Sequence, residues 1–563
     1  MKKIFIYVSV LAMVLACSDD FTESPAVGAL SDKALQNEVG VNLMLTGAYS
    51  ALDGVRLNSI GEGWAQGPSN WIFDTLSDDA HKGSTDGDQP ELYNVETLNW
   101  STGGSYFLGK WSAVWAGAQR ANAVIALINT IPEGDFSAQL AEARFLRGHF
   151  YFELTKIYKY IPFIDEEMYA AQEFNQPNPS APWDKIEADF QYAVDNLPTS
   201  QDAIGRPTSW VAKAFLGKTH LYQSDWNAAL PLLADVVNNG PYSLMTDFVD
   251  NFRLAGENSS ETMFAIQFTT DDGSGFNTNR QGALNFINGG PYGSCCGFYM
   301  PSQDLLNAYK TTAAGLPQLD TYADTDVTSD LGIPSADASF IPYTGPLDPR
   351  VDYTISRRGI DYNGYGESPG ADWLRNEASD ISGAYLPKKN TYWAGETDNM
   401  STGGWGEQNS GVNYHVMRFA DVLLMHAEAA LETGDLSTAL TNVNVVRNRA
   451  RTSNYVQAAG GGNAANYVIA PYSASDFSTQ ENARKALRFE RRLEMGMEGH
   501  RYFDIVRWGD TTTRMNEYVS NESRANPQFG SEAGTWSSKH NNWPIPITAI
   551  DVSGGILTQN PDW

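Results

Sequence analysis

Basic residues are scarce in this chain: 38 Lys and Arg stand against 67 Asp and Glu over 563 residues, a formal charge of −29. So acidic a surface repels a phosphate backbone, which argues against nucleic acid as a partner. Cysteine is scarcer still, with three in all: Cys17 and the adjacent pair Cys295-Cys296. They supply neither a disulfide framework nor zinc spacing. The seven histidines are scattered, so neither a metal nor a cofactor is expected. His-Glu-x-x-His, Gly-x-x-x-x-Gly-Lys and Gly-x-Ser-x-Gly are all missing, which removes the common zinc-protease, phosphate-loop and serine-hydrolase readings. Beyond the first 16 residues no apolar run approaches the roughly 20 residues that a membrane span needs. At 42% hydrophobic, the chain still has material for a sizeable core.

The start of the chain carries an address. Lys2 and Lys3 precede an apolar run, Ile4 to Leu15, interrupted only by Ser9. It is too short to cross a bilayer and reads as a signal-peptide core, residues 1–16. Leu15-Ala16-Cys17 resembles a bacterial lipobox, in which the peptide is cut and Cys17 becomes lipidated. Ser18-Asp19-Asp20 resembles the export signal that sends Bacteroidota lipoproteins to the outer face of the outer membrane. Cleavage removes Lys2 and Lys3 and no acid, taking the charge from −29 to −31. A lipid anchor, with no other membrane contact, is the expectation.

A repeat organises the body. Leu221-Tyr222-Gln223-Ser224-Asp225-Trp226-Asn227-Ala228-Ala229-Leu230 aligns with Leu431-Glu432-Thr433-Gly434-Asp435-Leu436-Ser437-Thr438-Ala439-Leu440 at an offset of 210. In both, a helix ends, the chain turns and an Asp caps the next helix by accepting its unpaired amide hydrogens. Ala229 and Ala439 leave room for a partner helix, as in tetratricopeptide pairs. Periodicity predicts further helices over 111–131, 136–160, 183–197 and 417–431, the last buried nearly all round with His426 a satisfied core residue. Between about 245 and 410, Gly, Pro, Asn, Asp and aromatics displace helical periodicity, and loops that long point to function. The expected fold is mainly α: a tetratricopeptide-like scaffold of helical pairs, about 33–240 and 410–510, carrying a large loop-rich irregular platform. Residues 17–563 then form one domain.

Fifteen Trp and 27 Tyr are more than these helices need. Trp64, Trp71, Trp100, Tyr292, Tyr299, Trp373, Trp393 and Trp405 sit in Gly- or Asn-rich surroundings. Aromatic faces pack against the C–H faces of sugar rings while Asp, Asn and Arg meet hydroxyls. Ligand contact is expected at Trp71, Trp100, Tyr292, Tyr299, Trp373 and Trp393, with Asp79 a hydroxyl partner; core packing is the alternative for each. Cys295 and Cys296, having no third thiol outside the cell once Cys17 is lipidated, are expected to join as a vicinal disulfide that stiffens the turn among Gly293, Ser294 and Gly297. They too are candidates for ligand contact. Asp320, Asp324, Asp326 and Asp330 lack the glycine and final Glu of a calcium loop and read as a solvated acidic stretch.

Several blocks in order resemble the SusD/RagB family of surface nutrient-binding lipoproteins. They are Ala141 to Arg147 running on to Pro162; Gly205-Arg206-Pro207-Thr208 leading to Leu216; Leu347-Asp348-Pro349-Arg350; Arg418 to Met425 with Ala427-Glu428-Ala429; Glu490 to Glu494; Glu498 to Asp504; and Arg507-Trp508-Gly509. The resemblance implies a non-catalytic protein that captures an oligosaccharide and passes it to a SusC-type TonB-dependent barrel in the outer membrane. A surface glycoside hydrolase, a binder of another nutrient such as peptide, and an adhesive surface protein remain the competing readings. Glu490, Glu494 and Glu498 fall in one helical column, where like charges repel. Arg418, Arg447, Arg449 and Arg451 are the expected compensation, making a buried ion network rather than an acid/base pair.

Overall fold

The computed structural model describes residues 32–563 apart from 55–59, 69, 271–276, 280, 294, 376–380, 390 and 405. Cys17 with its signal segment, and Trp405, therefore lie outside the described residues. Among these there are ten helices of twelve residues or more: α1 (Glu38–Tyr49), α2 (Ser105–Asn129), α3 (Ser137–Tyr158), α4 (Trp183–Asn196), α5 (Ser209–Tyr222), α6 (Trp226–Asn239), α7 (Phe419–Glu432), α8 (Leu436–Thr452), α9 (Gln480–Met495) and α10 (Thr511–Ala525). Successive helices from α2 to α8 pack on one another in turn, and α9 returns to α7. Because α6 packs directly on α7, the chain leaves the stack at residue 240, builds the platform, and rejoins the stack at residue 419.

The two aligned turns have one geometry. Asp225 accepts from Ala228 N at 3.2 Å and Asp435 from Thr438 N at 3.0 Å. Their own amides donate to His220 O at 2.9 Å and Ala430 O at 2.8 Å, again 210 residues apart. The residue before each Asp is left-handed, Ser224 at φ 59° and Gly434 at φ 95°, which closes the preceding helix. Ala229 and Ala439 are fully buried. His426 is buried, its Nδ1 2.8 Å from Asn442 Nδ2.

Among the described residues, four two-stranded antiparallel sheets stand where long helices stop, in and beside the platform: β1 (Ala80–Gly83) with β3 (Phe298–Pro301), β2 (Thr262–Ile266) with β8 (Tyr414–Arg418), β4 (Ile355–Ser356) with β5 (Leu386–Pro387), and β6 (Met400–Thr402) with β7 (Gln408–Ser410). β8 runs straight into α7, and its Tyr414 pairs with Ile266. These sheets tie loop ends to the helical stack.

The charged column is buried, with two corrections. α9 ends at Met495, so Glu498 lies past the helix and only Glu490 and Glu494 share its face. Arg451 is exposed and bonds Asn448, because it sits at the outer end of α8. Its place is taken by platform residues: Arg350 meets Glu490 at 2.8 Å and Glu494 at 3.0 Å, and Lys389 meets Glu498 at 2.8 Å. Arg418 spans Glu261, Glu494 and Glu498 at 2.7–2.9 Å, Arg447 holds Glu490 at 2.6 Å, and Arg449 holds Glu261 and Glu494. The network thus locks helices and platform together. In the acidic stretch, Asp320 pairs with Lys485 at 3.1 Å and Asp326 accepts from Asn307 at 2.8 Å. Beyond the 410–510 scaffold, α10 places Glu522 2.9 Å from His81 Nε2, whose other nitrogen lies 2.8 Å from Glu96.

Candidate functional site: an aromatic platform

The platform has its own small core, separate from the main one: Phe286, Ile287, Tyr292, Met300, Tyr362, Leu386, Tyr392 and Val412. Its floor is layered aromatic rings. Tyr292 meets Phe286 edge-on at 4.9 Å and Tyr365 at 5.2 Å, and Trp373 stands edge-on to Tyr362 at 5.6 Å. Such edge-to-face pairs add to the burial of the rings. The buried hydroxyls are satisfied: Tyr292 donates to Tyr392 O, and Tyr362 donates to Pro387 O at 2.7 Å. Burial pushes both phenols up, so they stay neutral.

Local sequence explains the outer layer. Asp361 accepts from Gly364 N at 2.8 Å and Gly366 N at 3.0 Å, an Asx-type turn that holds Tyr365 at the edge. Gly290 is required beneath Trp373, since a Cβ there would come within 2.6 Å of the indole. Gln408 donates to Tyr292 O at 2.6 Å, anchoring the strand turn to the Tyr292 loop. Cys296 N and Gly297 N both reach Phe286 O, at 3.2 and 2.7 Å, tying the backbone after the Cys295–Cys296 disulfide to the small core while the two cysteine side chains pack with the main one. Cys296 is buried and Cys295 is half-buried. Tyr365, Trp373 and Leu374 therefore present partial surface above a fixed floor, whereas Cys295 packs against the main core. Neighbouring cations are engaged: Arg375 bonds Asp88 and Ser84, and Arg253 bonds Glu396 at 2.7 Å.

The sequence-selected residues fall into separate groups. Tyr292 and Trp373 come together here, and Cys295 and Cys296 lie where this cluster's Phe286 segment meets the main core. Trp393 lies in another cluster, under the Arg253 guanidinium at 4.8 Å and beside Tyr353. Trp100 is stacked on Trp563 at 6.0 Å and donates to Val95 O, at a distinct cleft of about 180 Å³ with Glu91, Asn94 and Asn99. Trp71, Asp79 and Tyr299 lie in the interior and leave the candidate set. Trp71 is 2% exposed against Tyr414 and Tyr299, and Tyr299 is 0% exposed. Asp79 is 0% exposed and pairs with Arg492 at 2.8 Å. A short helix opening at Trp71 and the strands β1 and β3 put them there; a Gly- or Asn-rich neighbourhood does not by itself mean surface. Sequence reading missed Tyr362, Tyr365 and Gln408. The alternation Asp361-Tyr362-Asn363-Gly364-Tyr365-Gly366 was the available signal.

Comparison with known proteins agrees with this architecture. Residues 260–563 match the model of the SusD family, and residues 52–221 match a second model described as starch-binding associating with outer membrane. A SusD-like protein of Bacteroides ovatus is 27% identical over 455 residues, covering 74% of this chain and 68% of its own. SusD-like protein P2 of Formosa agariphila is 25% identical over 580 residues and all of both chains. Among solved structures, surface glycan-binding protein A from Bacteroides thetaiotaomicron in complex with laminarihexaose superposes with a TM-score of 0.65 at 19% identity, over 93% of this chain and 99% of that one. A SusD superfamily protein from Bacteroides vulgatus gives 0.66 at 21%, over 94% and 100%. At such identities the solved structures establish the fold alone. No helix among the described residues is long and apolar enough to cross a membrane. With more than half of its length matched by the family model, the chain belongs to the SusD family.

Proposed function

We propose that this protein is a cell-surface lipoprotein, anchored in the outer membrane through Cys17, that binds an oligosaccharide on the platform and passes it to a SusC-type TonB-dependent barrel. One observation carries the reading: Tyr365, Trp373 and Leu374 form a half-exposed apolar layer on a rigid floor of hydrogen-bonded tyrosines. Such a layer suits the apolar faces of sugar rings, with loop amides at its rim for hydroxyls. Since the nearby Arg253 and Arg375 are already paired with carboxylates, the favoured ligand is an uncharged glycan. The glycan complex of the Bacteroides thetaiotaomicron relative supports the ligand class, and the outer-membrane description of the second family model supports the address.

The test is a glycan array on the soluble form starting at Ser18, followed by calorimetric titration of the selected glycan against Trp373→Ala and Tyr365→Ala. Full affinity in both folded variants would remove the platform from the reading. Anchoring is read separately: Cys17→Ala should abolish acyl labelling, and retained labelling would refute it.

One observation favours the enzymatic alternative. Burial pushes the Glu257 carboxyl up to about 7, with Glu396 adding to the effect, although Asn413 N donates to it at 2.7 Å. A carboxyl kept protonated near neutral pH is what a general acid needs. Release of new reducing ends from the array-selected glycan, lost in Glu257→Gln, would establish that alternative; intact glycan after prolonged incubation would dismiss it.

A further inference from the structure

Where the N-terminal helices meet β8 and the segment around His500, the interior holds a cavity of about 40 Å³. Its wall carries three lysines, Lys110 from α2, Lys156 from α3 and Lys218 from α5, with His149, Glu153, Asn70 and His500. Lys110 is 2% exposed and Lys218 5% exposed. In a chain of net charge −29, a buried concentration of cations calls for a physical explanation.

The hydrogen bonds leave it incomplete. Lys156 donates to Glu153 at 2.6 Å, Lys218 to Asp421 at 3.2 Å, and Lys110 to the neutral carbonyl of Gly67 at 2.8 Å. An ammonium has three N–H donors, and among the described residues each of these spends only one. His149 Nδ1 lines the same cavity, deeply buried and without a partner among the described residues; Asn70 Oδ1, likewise unpartnered, is an acceptor open to a lysine N–H. The charges do not balance either. Asp421 is shared with Arg491, which also holds Asp504 at 2.6 Å, and Arg507 closes the chain on Asp504 at 2.9 Å and Glu428 at 2.6 Å. In that chain Lys218, Arg491 and Arg507 are matched by Asp421, Asp504 and Glu428, and Lys156 is matched by Glu153, which leaves the Lys110 ammonium with no carboxylate partner among the described residues. Burial draws the two imidazoles down to about 4, so His149 and His500 add no charge at neutral pH. An uncompensated buried charge is among the costliest features a fold can carry.

We infer that this cavity binds one small monovalent inorganic anion of chloride size, held by the spare donors of Lys110, Lys156 and Lys218. The volume matches about three water positions or one such ion. Water could satisfy the donors, but burial draws Lys110 down only to about 8, so at neutral pH it keeps its charge and an anion compensates what water cannot. Because the wall draws on α2, α3, α5, β8 and the segment before Arg501, the ion would clamp the first half of the helical stack to the second. It is distinct from the platform and independent of what the platform binds.

Crystals soaked in sodium bromide provide the direct test, by anomalous difference density inside the cavity. In parallel, Tm is followed as chloride replaces gluconate at constant ionic strength, for the wild type and Lys110→Met. The expected result is a bromide peak within hydrogen-bonding reach of Lys110 Nζ, a Tm that climbs with each tenfold rise in chloride, and a flat response in Lys110→Met. A cavity with water-level density and no anomalous signal would overturn the proposal. So would a peak accompanied by the same chloride response in both proteins, which would mark an adventitious ion only. Should Lys110→Met fail to fold, the bromide map of the wild type decides alone.

Discussion

The helical stack and the loop platform both bury many polar and aromatic groups, but they use them for opposite ends. Where β8 joins the stack, charges are driven inward and paired: Arg418 is 0% exposed with three carboxylates around it. In the platform, rings are layered so that a buried set, Tyr292, Tyr362 and Tyr392, supports a partly open set, Tyr365 and Trp373. Interior charge pairs fix one arrangement at high cost if broken, whereas an open aromatic layer contributes little to folding and is free to meet a ligand. Disturbing the first should change stability and leave binding alone; disturbing the second should do the reverse.

The largest break is expected from Arg418→Met, which leaves Glu261, Glu494 and Glu498 short of a buried partner. A loss of about 3–5 kcal/mol is expected, read as a large fall in the urea midpoint. Unchanged stability would mean that Arg350, Arg449 and Lys389 suffice and that the network is redundant.

Acid should act on the same region. Burial alone would raise the Glu498 carboxyl, but Arg418 and Lys389 more than offset it and hold the group at about 2; Glu494 is held lower still by Arg449, Arg418 and Arg350. A depressed folded pKa means stability that is complete above the ordinary carboxylate value and is lost as pH falls through the folded one. Asp74, which burial pushes up, works in the opposite sense. Glu498 alone should cost on the order of 3 kcal/mol between about pH 5 and 2. Denaturation midpoints measured across that window in Glu498→Gln should be flatter than in the wild type; parallel curves would contradict the assignment.

Trp373→Ala is expected to invert the pattern. Half-exposed and supported from below, it should cost little stability, yet about 2 kcal/mol of glycan affinity if it is a central anchor, roughly thirtyfold. Calorimetry with the array-selected glycan measures it. A variant that melts early and binds normally would move Trp373 from the ligand layer to the core.

The helical stack was legible because helix periodicity, proline stops and Asp caps are local signals, and the predicted starts and ends at 183–197 and 417–431 lie within two residues of α4 and α7. The glutamate column was legible as a network but not in its partners. Arg350 and Lys389 come from the platform, and no local pattern announces a contact across 140 residues. The site was less legible still. Trp71 and Trp373 stand in similar sequence surroundings, and what separates them is pairing between distant strands, which buries one and leaves the other at an edge.

The smallest effect tests whether the two halves of the stack are equivalent. Asp225 and Asp435 cap their helices through the same acceptor geometry, but Asp435 also takes the Thr438 hydroxyl at 2.6 Å. Both sit at exposed turns, so removing either leaves no buried charge, and the cost is that of one helix cap, about 0.5–2 kcal/mol. Asp435→Ala should lie toward the upper end of that range because Thr438 loses its partner as well, and Asp225→Ala toward the lower. Neither should move glycan affinity, since α6 and α8 begin outside the platform. Urea midpoints of the two variants, set beside their titrations with the same glycan, give the comparison directly. Equal losses would mean that the hydroxyl bond adds nothing beyond the cap. An affinity change in Asp435→Ala at unaltered stability would instead tie the α7–α8 turn to the ligand and break the division between scaffold and platform.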